Sequence, residues 1–142
     1  MINIHARVRN LVRKYGTRNP EIIAEELNIN IIKRPMSLKT KGFFRKVLRK
    51  KFIVINSLID EYSQRIVMAH ELGHAVLHST ANIYFIREMT LYPIGKYEVQ
   101  ANKFAAELLI DDYDIRSDFT IPQLSIYLGV PEQLIEYKVG RY

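Results

Sequence analysis

Residues 61–79 are apolar at nearly every position round a helical turn, with Ile66, Val67, Met68, Ala69, Leu72, Ala75, Val76 and Leu77, yet they also contain His70, Glu71 and His74. A helix that is apolar all round belongs inside a fold. Burying two imidazoles and a carboxylate there is costly unless each finds a partner. The chain must therefore wrap its other elements around this helix and bring polar groups, or an ion, to those three side chains.

A metal ion is the simplest partner. In His70-Glu71-Leu72-Gly73-His74 the two histidines are four residues apart, on one face and about one helical turn from each other, so both imidazoles can reach a single ion. This is the HExxH pattern of zinc sites, in which the glutamate serves as general base towards a water polarised by the metal. The plain alternative is a pair of core histidines. Cysteine is absent, so thiolate ligands and Cys nucleophiles are excluded, and a third ligand must be a histidine or a carboxylate.

Two residues compete for that place. His78 continues the series, but it lies eight residues from His70, about 12 Å along a helix axis, and a straight helix cannot bring both to one ion. His78 is therefore expected to neighbour the ligands. Glu98 and Asn102 share a face of the next long helix and offer a carboxylate ligand with an amide one turn on that can hydrogen-bond a ligand imidazole. The expectation is one Zn²⁺ per chain held by His70, His74 and Glu98, a fourth position left open, Glu71 catalytic, and Asn102 and His78 supporting the ligands. The HExxHxxGxxH arrangement is excluded, because position 77 is Leu and position 80 is Thr.

The remaining elements surround this centre. A basic amphipathic helix over 4–15 is stopped by Gly16, and Asn19-Pro20-Glu21 starts a short second helix. Stretches of strand character follow at 29–33, 42–47 and 51–55, the last two joined as a hairpin through Leu48-Arg49-Lys50. After the 61–79 helix comes an irregular segment over 80–93 with Tyr84, Phe85 and Tyr92, then a helix over 94–111 and a pair of short helices at 121–128 and 131–138. This order predicts a single α+β domain with a small three-stranded sheet, residues 1–60 supplying the first helices and the sheet and 61–142 the catalytic and C-terminal helices. A chain of 142 residues suits one core.

The net charge of +6 is unevenly spread: residues 1–51 hold 14 Lys/Arg against 3 Asp/Glu, the rest 7 against 12, and residues 33–51 hold nine Lys/Arg with no acid. Such a face attracts an acidic protein or nucleic acid phosphate. The last helix pair resembles a helix-turn-helix, but Glu132 and Glu136 suit a recognition helix poorly, and packing is the better reading. A composition of 48% hydrophobic and 25% charged residues is that of a globular protein, and there is neither an apolar run of membrane-spanning length nor a signal-peptide pattern. The expected location is the cytoplasm, with no membrane partner.

The stretch from Ala69 to His78 resembles the HELGHxxLH block of the ImmA/IrrE metallopeptidases, and Glu98-Val99-Gln100-Ala101-Asn102-Lys103-Phe104-Ala105-Ala106-Glu107-Leu108-Leu109 resembles their ExEANxFAAELL block. Gly42-Phe43-Phe44 is similar to the family's glycine-aromatic strand and Ile53-Val54-Ile55-Asn56 to its hairpin partner, so the likeness covers about residues 18–138. It implies a minimal, gluzincin-like zincin fold with the same ligand set and Glu71 as base. It further implies cleavage of a helix-turn-helix transcriptional repressor of a phage or mobile element. Two departures stand out: Gln100 replaces the more usual acid, and the second block ends Ile110-Asp111-Asp112 where the family has Met-Pro.

Peptidases of this kind add an extended substrate to a sheet edge, and the strand at 42–47 is the candidate edge, with Gly42, Phe43 and Phe44 as substrate contacts. Tyr84, Tyr92, Tyr97 and His78 are all in reach as a second oxyanion donor, and the role is left open. The competing functions are a non-catalytic protein-binding regulator on a peptidase fold and a DNA-binding protein using the basic N-terminal third, nucleic acid being the less favoured partner.

Overall fold

The computed structural model describes residues 2–78 and 94–140. In chain order these form α1 (Ile4–Tyr15), α2 (Pro20–Glu26), β1 (Ile29–Arg34), β2 (Gly42–Val47), β3 (Lys50–Asn56), α3 (Glu61–Leu77), α4 (Ile94–Leu109), a 3₁₀ turn (Asp112–Asp114), α5 (Ile121–Leu128) and α6 (Glu132–Lys138). The aromatic segment over 80–93 lies outside the described residues.

The helix ends follow local chemistry. Asn3, Asn19 and Asp60 accept hydrogen bonds from the backbone N–H groups of Ala6, Glu21 and Ser63, and Thr120 with Gln123 forms a reciprocal capping box, each satisfying donors that a helix start leaves unpaired. α4 stops at Leu109, earlier than the expected 111, because Asp111 turns out of the helix and caps the 3₁₀ turn by accepting from the Tyr113 N–H.

The sheet order is β1-β3-β2, with β1 parallel and β2 antiparallel to the central β3. Ile53, Val54 and Ile55 are all buried, as the unbroken apolar run of a central strand requires. Gly42 pairs with Ile55 and Val47 with Lys50, so the hairpin turn is Leu48-Arg49 and Lys50 already belongs to β3. Leu48 takes the left-handed conformation (φ 58°) that such a tight reversal demands.

Asn56, fully buried at the end of β3, ties down the chain between β1 and β2. Its Nδ2 donates to the carbonyls of Met36, Ser37 and Thr40 at 2.9–3.2 Å, and its Oδ1 accepts from the N–H groups of Met36 and Leu58 at 3.2 and 3.0 Å. These contacts place Gly42 at the start of β2. Above the sheet, α3 packs on β2, β3 and α2, and α4 lies across α3. Phe104, Leu72, Met68, Ile23, Leu108 and Ile135 fill the shared core.

Replacing Asn56 with leucine keeps much of the volume and removes five part-buried hydrogen bonds to backbone groups, each contributing about 0.5–1.5 kcal/mol. Asn56→Leu is expected to lower the unfolding free energy by about 2–4 kcal/mol in urea titration; a loss under about 0.5 kcal/mol would show that the loop does not depend on this side chain.

Candidate metal centre

α3 and α4 approach each other where both carry small residues. A Cβ added to Gly73 would lie 3.0 Å from Phe104 Cβ and 3.2 Å from Ala101 Cα, so only hydrogen at position 73 admits α4 this close. Ala101 and Phe104 are completely buried against it. Gly73 falls between the two histidines of α3, and Ala101 between Glu98 and Asn102 of α4. The contact therefore sets the two polar pairs face to face.

Glu98 lies between the imidazoles, with Oε2 2.9 Å from His70 Nε2 and Oε1 3.1 Å from His74 Nε2. The ligand atoms of all three residues fall within 4.8 Å of one another. His70 Nδ1 is 2.7 Å from Asn102 Oδ1, and Asn102 Nδ2 donates to the Tyr137 hydroxyl at 3.2 Å. On the other side His74 Nδ1 is 3.0 Å from His78 Nδ1, and His78 Nε2 is 2.6 Å from Gln100 Oε1. Glu71 is buried beside the set, its Oε2 4.0 Å from His70 Nε2. Glu98, 33% exposed at its side chain, marks the open side.

The donor chemistry fits a cation. Both ring nitrogens of His70 face oxygen atoms: Asn102 Oδ1 can only accept, and ionised Glu98 can only accept. A neutral imidazole has one N–H, so positive charge must lie between His70 Nε2 and the carboxylate. Without a metal, that charge is a proton. Burial opposes charge on both groups, yet His70 is raised above the ordinary histidine value by Glu98 and Glu71, and the adjoining His70 and His74 imidazoles hold Glu98 well below the usual carboxylate range. Two imidazole nitrogens and a carboxylate converging from neighbouring helices are the donor set a divalent zinc-type ion takes in three-ligand sites.

Among the described residues a second group has metal-like composition: His5, Glu107 and Asp112. It differs in one respect. The Lys138 ammonium already donates to Glu107 Oε2 at 2.9 Å and to Asp112, so the cluster is an internal ion pair fastening α6 and α1 to the end of α4.

The structure thus brings together the five residues read from the pattern and its partner helix (His70, Glu71, His74, Glu98 and Asn102) and places His78 against His74. It adds two that sequence reasoning passed over as functional. Tyr137 on α6 meets Asn102 across 35 residues, with no local signal to announce it. Gln100 was visible only as a departure from the family pattern; its Oε1 lies 2.6 Å from His78 Nε2.

Gly42, Phe43 and Phe44 stand apart from the cluster, on β2. A Cβ on Gly42 would lie 2.7 Å from Val67 Cγ1 and 2.8 Å from the Val54 carbonyl oxygen, so this end of the strand packs directly on α3, three residues before His70. Asn56 donates its N–H to the Lys41 carbonyl. Hydrogen-bonded pairs alternate along an antiparallel ladder, so the backbone groups of Gly42, Phe44 and Lys46 point away from β3. Phe44 packs against the core, whereas Phe43 lies on the other face beneath the Arg45 guanidinium, 5.2 Å from its ring centre.

With fold and site in view, comparison with known proteins assigns the class. The chain belongs to the IrrE N-terminal-like domain family (Peptidase_M78), whose model matches residues 24–139. It is 41% identical over 139 residues to uncharacterized immunity region protein 2 of Bacillus phage phi105, covering 95% of this chain and 88% of that protein. It is 28% identical over 146 residues to the metallopeptidase ImmA of Bacillus subtilis strain 168, covering 97% and 85%. The chain is therefore a member of a peptidase family with a metallopeptidase and a phage immunity protein among its relatives. No helix of the described residues is long and apolar enough to cross a membrane.

Gly73→Val is expected to force α4 outwards. Overpacking of a tight core site costs about 1–3 kcal/mol, and the separation of Glu98 from the histidines should weaken zinc binding at least tenfold in a chelator-competition titration. Zinc affinity equal to wild type would show that the helix spacing does not set the site.

Proposed function

We propose that this chain is a zinc-dependent endopeptidase that cuts a helix-turn-helix transcriptional repressor of a phage or mobile element, acting in the cytoplasm with residues 1–142 as one peptidase domain. The observation that carries the reading is the convergence of His70 Nε2, His74 Nε2 and the Glu98 carboxylate beside buried Glu71. The immunity and metallopeptidase relatives support it.

His70, His74 and Glu98 would hold one zinc ion, which when bound supplies Lewis acidity to the scissile carbonyl and to the attacking water. Glu71 takes a proton from that water and delivers it to the amide nitrogen as the peptide C–N bond breaks. Asn102 and His78 hold the imidazoles in position. The substrate backbone pairs with β2 through the outward groups of Gly42 and Phe44, which places the extended chain alongside α3. Phe43 offers an apolar surface on the far face of that strand.

A binding protein without turnover has no use for a carboxylate buried at position 71, one residue from a ligand. The basic stretch is also partly committed internally, because Lys33 pairs with Glu21 at 2.7 Å.

Mass spectrometry of the repressor encoded beside this gene, incubated with zinc-loaded enzyme, should find one specific cut. Glu71→Gln should retain one equivalent of zinc and lose about 10²–10⁴-fold in rate, the usual contribution of a general base. Chelation should abolish cutting and zinc restore it. Equal cutting by Glu71→Gln, or by a metal-free preparation, would refute the mechanism.

A further inference from the structure

We propose that Gln100 is a positioning residue: through His78 it fixes the proton of His74 on Nδ1 and so keeps Nε2 open towards the metal centre. The inference rests on the zinc-site reading above and deepens it by assigning a role to a neutral side chain that hydrogen-bonds His78.

The assignment follows from counting protons along three side chains. Gln100 Oε1 is 2.6 Å from His78 Nε2, and an amide oxygen accepts only, so His78 carries its proton on Nε2. In its neutral form His78 has that one N–H, which makes its Nδ1 an acceptor. That atom is 3.0 Å from His74 Nδ1, which must therefore donate. His74 then has its lone pair on Nε2, the nitrogen 3.1 Å from Glu98 Oε1.

The chain of hydrogen bonds has one polarity, from His74 through His78 to the Gln100 oxygen. The opposite polarity would put the His74 proton on Nε2, where a metal must bind.

Position and burial make the relay specific. His78 is the C-cap of α3, its N–H donating to the His74 carbonyl at 2.8 Å, and it is 2% exposed. Tyr97 packs edge-on against its ring, with centroids 4.6 Å apart and planes at 81°. The imidazole is thus held by its backbone and by a neighbouring ring. His70 has a parallel device in Asn102 Oδ1, so each ligand imidazole is oriented through an amide oxygen of α4, directly in one case and through a histidine in the other.

The test compares Gln100→Leu, similar in size and without an acceptor, with Gln100→Glu, which keeps one. Zinc affinity measured by competition with a chelator should fall about 10–100-fold in Gln100→Leu, as for other partners of metal-bound histidines, and stay within about threefold of wild type in Gln100→Glu. In the zinc-loaded wild type, ¹⁵N NMR of the histidine rings should show His78 protonated at Nε2 and bare at Nδ1, and His74 protonated at Nδ1; Gln100→Leu should lose the single His78 form.

Equal zinc affinity of Gln100→Leu and wild type would overturn the proposal, as would a wild-type His78 protonated at Nδ1. Equal losses in both variants would also overturn it, since packing alone would then explain the effect. Failure of the peptidase reading looks different: wild type itself would then bind no zinc or cut no repressor.

Discussion

The contact on which the site depends is between two helix backbones. Gly73 has no side chain, and α4 lies a few tenths of an ångström closer than a Cβ would allow, at Ala101 and Phe104. Everything polar in the centre is arranged about that point. His70 and His74 flank the glycine on one helix, Glu98 and Asn102 flank the alanine on the other, and the interhelical distance decides whether a carboxylate reaches both imidazoles. The close approach is stabilised mainly by dispersion and apolar burial, with Phe104 alone contributing about 2–3 kcal/mol. The same packing holds charged and polar groups that would be unfavourable in a core without a shared ion.

The rest of the fold is support for this pair of helices. β3 carries α3 on one face, and Gly42 lets β2, an edge strand among the described residues, approach the same helix at Val67. Asn56 determines where β2 begins. α6 closes the back, joined to Asn102 through Tyr137 and to the end of α4 through Lys138 and Glu107. An ion-pair cluster at His5, Glu107 and Asp112 thus helps to hold α4 at the height the site requires. Its resemblance to a metal site ends at the lysine that already bridges the two carboxylates.

The sequence made much of this legible, for identifiable reasons. The strands at 42–47 and in the early fifties, the hairpin between them and the two long helices announce themselves by periodicity, by caps such as Asn19-Pro20 and by apolar runs. The metal-ligand candidates were legible because HExxH is local and because Glu98 and Asn102 share a helix face. His78 was set aside as a ligand by arithmetic on the helix rise alone, and it lies 3.0 Å from His74. What sequence could not supply is distance between elements. Nothing at Tyr137 indicates that it meets Asn102, and Gln100 reads only as a departure from the family pattern until His78 is seen beside it. Asn56 was visible as the end of a strand, but its five hydrogen bonds depend on a loop whose path no pattern encodes. The helix end at Leu109 was misplaced by two residues because Asp111 serves as a cap.

The central claim is that one metal ion is held jointly by α3 and α4. X-ray absorption at the zinc edge, combined with anomalous diffraction from crystals of the zinc-loaded protein, tests it directly. The account predicts one strong peak per chain, with His70 Nε2 and His74 Nε2 at about 2.0–2.1 Å and a Glu98 oxygen at about 2.0–2.2 Å. A peak at His5, Glu107 and Asp112 in place of this position, or zinc coordinated at the centre without Glu98, would contradict it.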